Sequence, residues 1–258
     1  MGIFFEPYKE NVCCLCGSSD SLSGEHKIKA SALRKIFGKD AMVIGSFDGE
    51  SILRSAQGPK SRAFHFSARM CALCNGSRTQ AADHEFDRFN ALVSSLLSHG
   101  NDPSLVFDLP QYSVGSEAYL NVFRYFAKIL CCHVAESGGP RPLEACEFAI
   151  GKINRNIVFL HIDVDPTYVT YRDMLGEHQY AGHGGLIVPF DPKTQNPTSF
   201  RSSLSFCETR YIFWVRFEPI VGVALRTFHH EFWGKCEAAY QEALKNPLSD
   251  EQRYRLGV

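Results

Sequence analysis

The sequence predicts an α+β protein, with an N-terminal part built on bound zinc followed by a mixed α+β C-terminal part. Three observations carry that expectation. Two C-x-x-C pairs stand in the first third of the chain, with 54 residues between them. Two long stretches repeat apolar residues at helical spacing, and strand-sized apolar runs gather after them. The chain has 258 residues, 45% of them hydrophobic and 21% charged, which favours a packed core over long disorder.

Taken in order, the first C-x-x-C pair is Cys13-Cys14-Leu15-Cys16, and Gly17 after it suits a tight turn. Arg62 to Phe66 reads as a short strand leading to the second pair, Cys71-Ala72-Leu73-Cys74. Phe86, Phe89, Leu92, Val93, Leu96 and Leu97 then recur on one side of a helix over 83–98. Prolines and glycines across 99–117 interrupt that period. They divide the chain into a domain at 1–98, a linker at 99–116 and an α+β domain at 117–258. Ser116 is placed to cap a second helix over 117–136, with Val122, Phe123, Phe126, Ile129 and Leu130 facing a core. Pro142 opens a short helix, strands are expected at 156–163, 185–190, 200–206 and 210–225, and a last helix at 231–245.

No apolar run reaches membrane-spanning length, and the N-terminus lacks the basic-then-apolar layout of a signal peptide. The expectation is a cytoplasmic protein with no membrane partner. In a reducing compartment, cysteines paired at short spacing bind metal more often than they form disulfides. Cys13, Cys16, Cys71 and Cys74 are therefore expected to hold one structural Zn²⁺ tetrahedrally, with Cys14 as the spare thiol. The other five cysteines lie in apolar stretches and read as core. Residues 1–95 carry 12 Lys/Arg against 10 Asp/Glu, so any nucleic-acid footprint must be a local patch.

Gly24-Glu25-His26-Lys27-Ile28 follows the first knuckle, and Asn75 directly follows the second. The order is knuckle, Glu-His, helix, strand, knuckle with Asn, helix. It resembles the HNH, or ββα-metal, endonucleases of the cysteine-containing treble-clef kind over about a third of the chain. The resemblance implies a treble-clef/ββα-metal HNH domain that hydrolyses DNA phosphodiester bonds. His26 would be the general base and Glu25 a ligand of one catalytic Mg²⁺ or Mn²⁺. Asn75 would orient His26 or complete the metal shell, and His84, Asp83 or Asp87 on the following helix would supply the last ligand. The chemistry suits these residue types: histidine accepts a proton near neutral pH, and carboxylates hold hard cations. On a plain strand Glu25 and His26 would point to opposite faces, so a bulge is needed to bring them together. Two departures from the pattern are Lys29, where proline is frequent, and Glu25, where aspartate is.

Lys27, Lys29, Arg34, Lys35 and Lys39 form a run of cations without an acid, and with Arg78 they are candidates for phosphate contact. In the second half, Glu177, His178 and His183 read as a loop with incidental histidines, and Asp163 and Asp165 as solvated strand ends. Tyr211, Phe213, Trp214 and Phe217 read as core. That half is a candidate for DNA contact, homodimerisation or sensing a regulatory ligand. Stand-alone enzymes of the resembled kind serve in restriction and anti-phage defence. The alternatives are a zinc-stabilised nucleic-acid-binding module without catalysis and a zinc-scaffolded protein-interaction domain.

Overall fold

A computed structural model describes residues 4–39, 42–44, 54–175 and 180–256. Helix and sheet are mixed, as the α+β expectation requires. The N-terminal third runs β1 (Phe5–Glu6), β2 (Leu22–His26), α1 (Ala30–Phe37), β3 (Met42–Ile44), β4 (Arg54–Ala56), β5 (His65–Cys71) and α2 (Gln80–Ser98). β2 and β5 pair antiparallel, as do β3 and β4. The strand expected at Arg62–Phe66 begins only at His65, because Ser61 caps a single 3₁₀ turn over Arg62–Phe64. α2 starts three residues before the expected position 83, after a π-type turn at Cys74–Arg78 that continues from the second knuckle.

Residues 99–116, expected as a linker, form two 3₁₀ turns, Pro103–Asp108 and Pro110–Tyr112. Val106 and Tyr112 are buried there, and Tyr112 meets Phe89 of α2 edge-on. α3 (Glu117–Glu136) then begins at the expected cap, where Ser116 Oγ accepts from Tyr119 N–H at 3.1 Å. Every residue from Leu120 to Ala135 is buried, not just one face. A helix buried all round is a central element. α3 packs against α2, β5 and α4 (Leu143–Ala149) and against the main sheet. The two-residue β6 (Arg141–Pro142) pairs with β1. Arg141 reaches back to the first knuckle, bonding Glu6 Oε2 at 2.6 Å and the Leu15 carbonyl at 2.9 Å. Gly17, at φ +75°, sits against this guanidinium, and a Cβ there would fall 2.5 Å from Nη1. The glycine is thus required both for its backbone and for its lack of bulk.

The main sheet is antiparallel in the order β7-β10-β9-β8. β7 is Val158–Val164, β8 Ala181–His183, β9 Ser199–Phe206 and β10 Thr209–Arg216. α5 (Pro166–Leu175) follows β7. α6 (Pro219–Phe228), α7 (His230–Lys245) and α8 (Asp250–Leu256) close the chain. Two strand expectations are corrected. Residues 185–190 make only isolated bridges, Ile187 to Arg201 and Phe190 to Pro197, because prolines remove ladder donors. Residues 219–225 are helix, since Pro219 sits in the first turn, where its missing N–H costs nothing. Phe200, Leu204, Tyr211 and Phe213 face the core, whereas Trp214 lies half-buried on the outer face, stacked on Phe159 at 5.6 Å. Asp163 and Asp165 are not simply solvated: Asp163 binds Arg210, and the buried Asp165 caps α5 through the Thr167 and Tyr168 amides. Glu177 and His178 lie outside the described residues. Among the described residues no helix is long and apolar enough to cross a membrane.

Candidate metal centre and adjoining polar site

The two knuckles converge. One Sγ each from Cys13, Cys16, Cys71 and Cys74 lies within 4.8 Å of all the others, and Cys16 Sγ is 3.6 Å from Cys71 Sγ. A tetrahedral zinc with Zn–S bonds near 2.3 Å spaces its sulfurs about 3.8 Å apart, so the donor set fits that ion. Backbone amides support the thiolates, Cys16 N–H on Cys13 Sγ at 3.5 Å and Cys74 N–H on Cys71 Sγ at 3.4 Å. Arg78 adds its guanidinium to Cys74 Sγ at 3.4 Å. A hydrogen bond from the Cys74 thiol, helped against burial by the Cys16, Cys71 and Leu15 amides, draws the Cys13 thiol down to about 4. Cys14 is the spare thiol, as expected, and points into the core 3.7 Å from Cys132 Sγ.

The second knuckle holds β2 in register. Asn75 Nδ2 donates to Ser23 Oγ at 2.9 Å and to the Gly24 carbonyl at 3.2 Å. Immediately beyond, the β2–β5 register shifts between Gly24 and His26. The irregularity falls where a bulge was expected to bring Glu25 and His26 together, yet the two side chains go to separate partners, Glu25 to Lys128 and His26 to His65. Asn75 therefore spends its amide donors on the β2 backbone and Ser23, holding the turn before Glu25.

His26 sits across from His65 of β5, their ring centroids 3.9 Å apart. It hydrogen-bonds the Pro59 backbone, while its Nε2 is buried without a partner among the described residues. Burial, then the charges of His65, Arg34 and Lys128, pull its pKa down to about 4. At neutral pH His26 is thus an uncharged imidazole with an unengaged ring nitrogen. His65 is itself held by the Ser61 carbonyl at 3.1 Å.

Glu25 turns the other way, toward α2 and α3. Lys128 of α3 bridges it to Asp83 of α2: Nζ lies 2.9 Å from Glu25 Oε1 and 2.6 Å from Asp83 Oδ1. The Lys128 side chain is 0% exposed, against 14% for Glu25 and 21% for Asp83. Burial alone would lower the lysine pKa, but the two carboxylates overcome it and the net shift is upward. Burial pushes the Glu25 carboxyl up, and Lys128 pulls it back. A second cation completes the cluster, as Lys29 Nζ binds Asp87 Oδ2 at 2.7 Å and the Asp83 carbonyl.

Of the three candidates for a last metal ligand, Asp83 joins Glu25 through Lys128, Asp87 is taken by Lys29, and His84 is exposed. Among the described residues the only group of three or more metal-type ligands within mutual reach is the cysteine cluster. The Glu25–Asp83 pair, bridged by an ammonium, does not present a free donor set for Mg²⁺ or Mn²⁺. The phosphate candidates divide as well. Lys27 is paired with Glu136 at 2.9 Å and Lys29 with Asp87, whereas Arg34, Lys35 and Lys39 are exposed. Arg78 is exposed but leans on Cys74.

His65 and Lys128 were missed in the sequence. His65 gives no local signal. Lys128 does, as a lone lysine in the apolar run Val122–Ala135, where an unpaired charge would be costly. No family model matches the sequence, and no curated protein or solved structure matches it either.

Proposed function

We propose that this chain is an HNH-type hydrolase of nucleic-acid phosphodiester bonds, DNA by the resemblance, in which His26 takes the proton from the attacking water. The observation that supports it most is His26 itself, held against His65 at the register shift in β2 that Asn75 anchors through the Gly24 carbonyl. His26 is neutral, and its buried Nε2 has no partner among the described residues. Such a nitrogen can accept a proton as water attacks phosphorus, and the negative charge arriving with substrate raises its basicity. His65 packs against its ring and fixes the ring plane. The exposed Arg34, Lys35 and Lys39 of the adjoining helix and turn would hold the phosphate backbone without reading sequence. The structural Zn²⁺ belongs to the scaffold. No step is assigned to a catalytic Mg²⁺ or Mn²⁺, because Lys128 engages the carboxylates that would hold it. Homodimerisation through the C-terminal part and a role in anti-phage defence stay with the resemblance and have no residue of their own.

The test is cleavage of supercoiled plasmid by wild type and His26→Ala, each checked for zinc content and folding. Nicking by wild type that the folded variant lacks supports the proposal; equal cutting by both, or none by either, rejects it. The second reading is a zinc-stabilised nucleic-acid binder without catalysis, and Lys128 favours it by neutralising the site. It requires salt-dependent binding that His26→Ala leaves unchanged.

A further inference from the structure

We infer that Lys128 is the resident cation of the Glu25–Asp83 pair: an ammonium stands where an HNH-type site would bind a divalent metal, and it keeps such metals out of the free protein. The inference stands apart from the cleavage reading, because it concerns what the carboxylates hold and not what His26 does.

Three facts carry it. Lys128 Nζ contacts one oxygen of each carboxylate, at 2.9 and 2.6 Å. Its side chain is 0% exposed, on a helix buried along nearly its whole length, so the ammonium has little freedom to withdraw. Its ring neighbour, Tyr125, is 5.3 Å away at the centroid and fully enclosed, and offers no competing negative charge. Removing Lys128 from its partners would leave an uncompensated buried charge, which proteins do not tolerate cheaply.

A divalent ion would have to displace this ammonium or settle beside it on the remaining oxygens. Displacement strands the lysine in an apolar helix. Settling beside it places two and one positive charges in contact, with Lys29 on Asp83's own carbonyl adding a third cation. Glu25, Asp83 and Asp87 supply three negative charges, and Lys128 and Lys29 already return two. The cluster thus has little net charge left to attract Mg²⁺ or Mn²⁺. With Lys128 gone, the same carboxylates would face each other unbridged. Magnesium-type ions are commonly held by one or two such carboxylates plus water.

The experiment is a Mn²⁺ titration, read by electron paramagnetic resonance, on full-length zinc-loaded wild type, Asp83→Asn, Lys128→Met and Lys128→Met/Glu25→Gln. Zinc content is measured throughout. The expected result is no saturable Mn²⁺ binding by wild type up to about millimolar, and at least tenfold tighter binding by Lys128→Met that the added Glu25→Gln removes. Lys128→Gln keeps a hydrogen-bond donor without the charge, and is read in place of Lys128→Met if that variant does not fold. A wild-type site that binds one Mn²⁺ and loses it in Asp83→Asn overturns the inference. So does a folded, zinc-loaded Lys128 variant that binds no Mn²⁺. Neither result bears on whether His26→Ala abolishes cleavage.

Discussion

At the scale of single residues, Asn75 and His26 do different work on the same strand. Asn75 gives two hydrogen bonds to β2, at Ser23 Oγ and the Gly24 carbonyl. Replacing it with Ala removes both and leaves the carbonyl to find water. Each such bond is worth about 1 kcal/mol net, so Asn75→Ala should destabilise by about 1–2 kcal/mol in urea denaturation. It should also slow the proposed cleavage, because the part of β2 that carries His26 loses its anchor. An Asn75→Ala protein with wild-type stability and rate would show that the bulge is held by something else. The Cys-x-x-Cys spacings made the thiolate cluster legible, and a β2 irregularity was expected at Glu25-His26, but not that the two side chains would part. His65 and Lys128 were not legible in the same way, since their partners lie 39 and up to 103 residues away in sequence.

At the scale of elements, the zinc knuckles and α1 make separable predictions. The second knuckle fixes where β5 ends and leads into α2, and Cys71 pairs with the start of β2, so metal removal should reach beyond the cysteines. One zinc per chain is expected by elemental analysis. Chelation, or Cys74→Ser, should lower the thermal midpoint by several degrees or more, measured by circular dichroism. Full stability without zinc would contradict the scaffold. On α1, Arg34 and Lys35 are exposed and make no ion pair among the described residues, while Lys27 and Lys29 just before it bond Glu136 and Asp87. Arg34→Gln/Lys35→Gln should therefore reduce the slope of log affinity against log salt by about 2, at roughly 0.9 per phosphate contact on duplex DNA. An unchanged slope would remove α1 from the interface. Charge in a sequence shows where cations are, and ion-pair geometry decides which of them are available. The same limit explains residues 219–225, where an apolar run suits strand or helix and only Pro219 in the first turn tips it.

At the scale of the whole molecule, α3 ties the two halves together, and its cost appears as a pH dependence. His133 on α3 is 2% exposed, beside Phe66, His183 and Lys27. Burial first, then the His183 and Lys27 charges, hold its pKa well below the usual histidine value. Its folded pKa lies below its unfolded one, so the stability it contributes is present above about pH 6.5 and lost as acid is added. Wild type should lose stability between pH 7.5 and 5.5 in urea denaturation, and His133→Leu should lose less over the same interval. Equal losses would place the acid sensitivity elsewhere. The fold class and most helices were readable from periodicity and caps, Ser116 above all. The burial of α3 all round was not, because Arg124, Lys128 and His133 are residue types usually left exposed. They are buried instead, Arg124 with Glu117 and Asn154, and Lys128 with Glu25 and Asp83.

The most direct measurement of the central claim is chemical rescue of the base. His26→Gly protein, folded and zinc-loaded, is assayed on supercoiled plasmid with and without added imidazole. The account predicts nicking at least about a hundredfold slower than wild type, in line with the usual worth of a general base, and partial recovery that rises with neutral imidazole. Cleavage by His26→Gly at the wild-type rate, or an absence of cleavage by wild type itself, would contradict it.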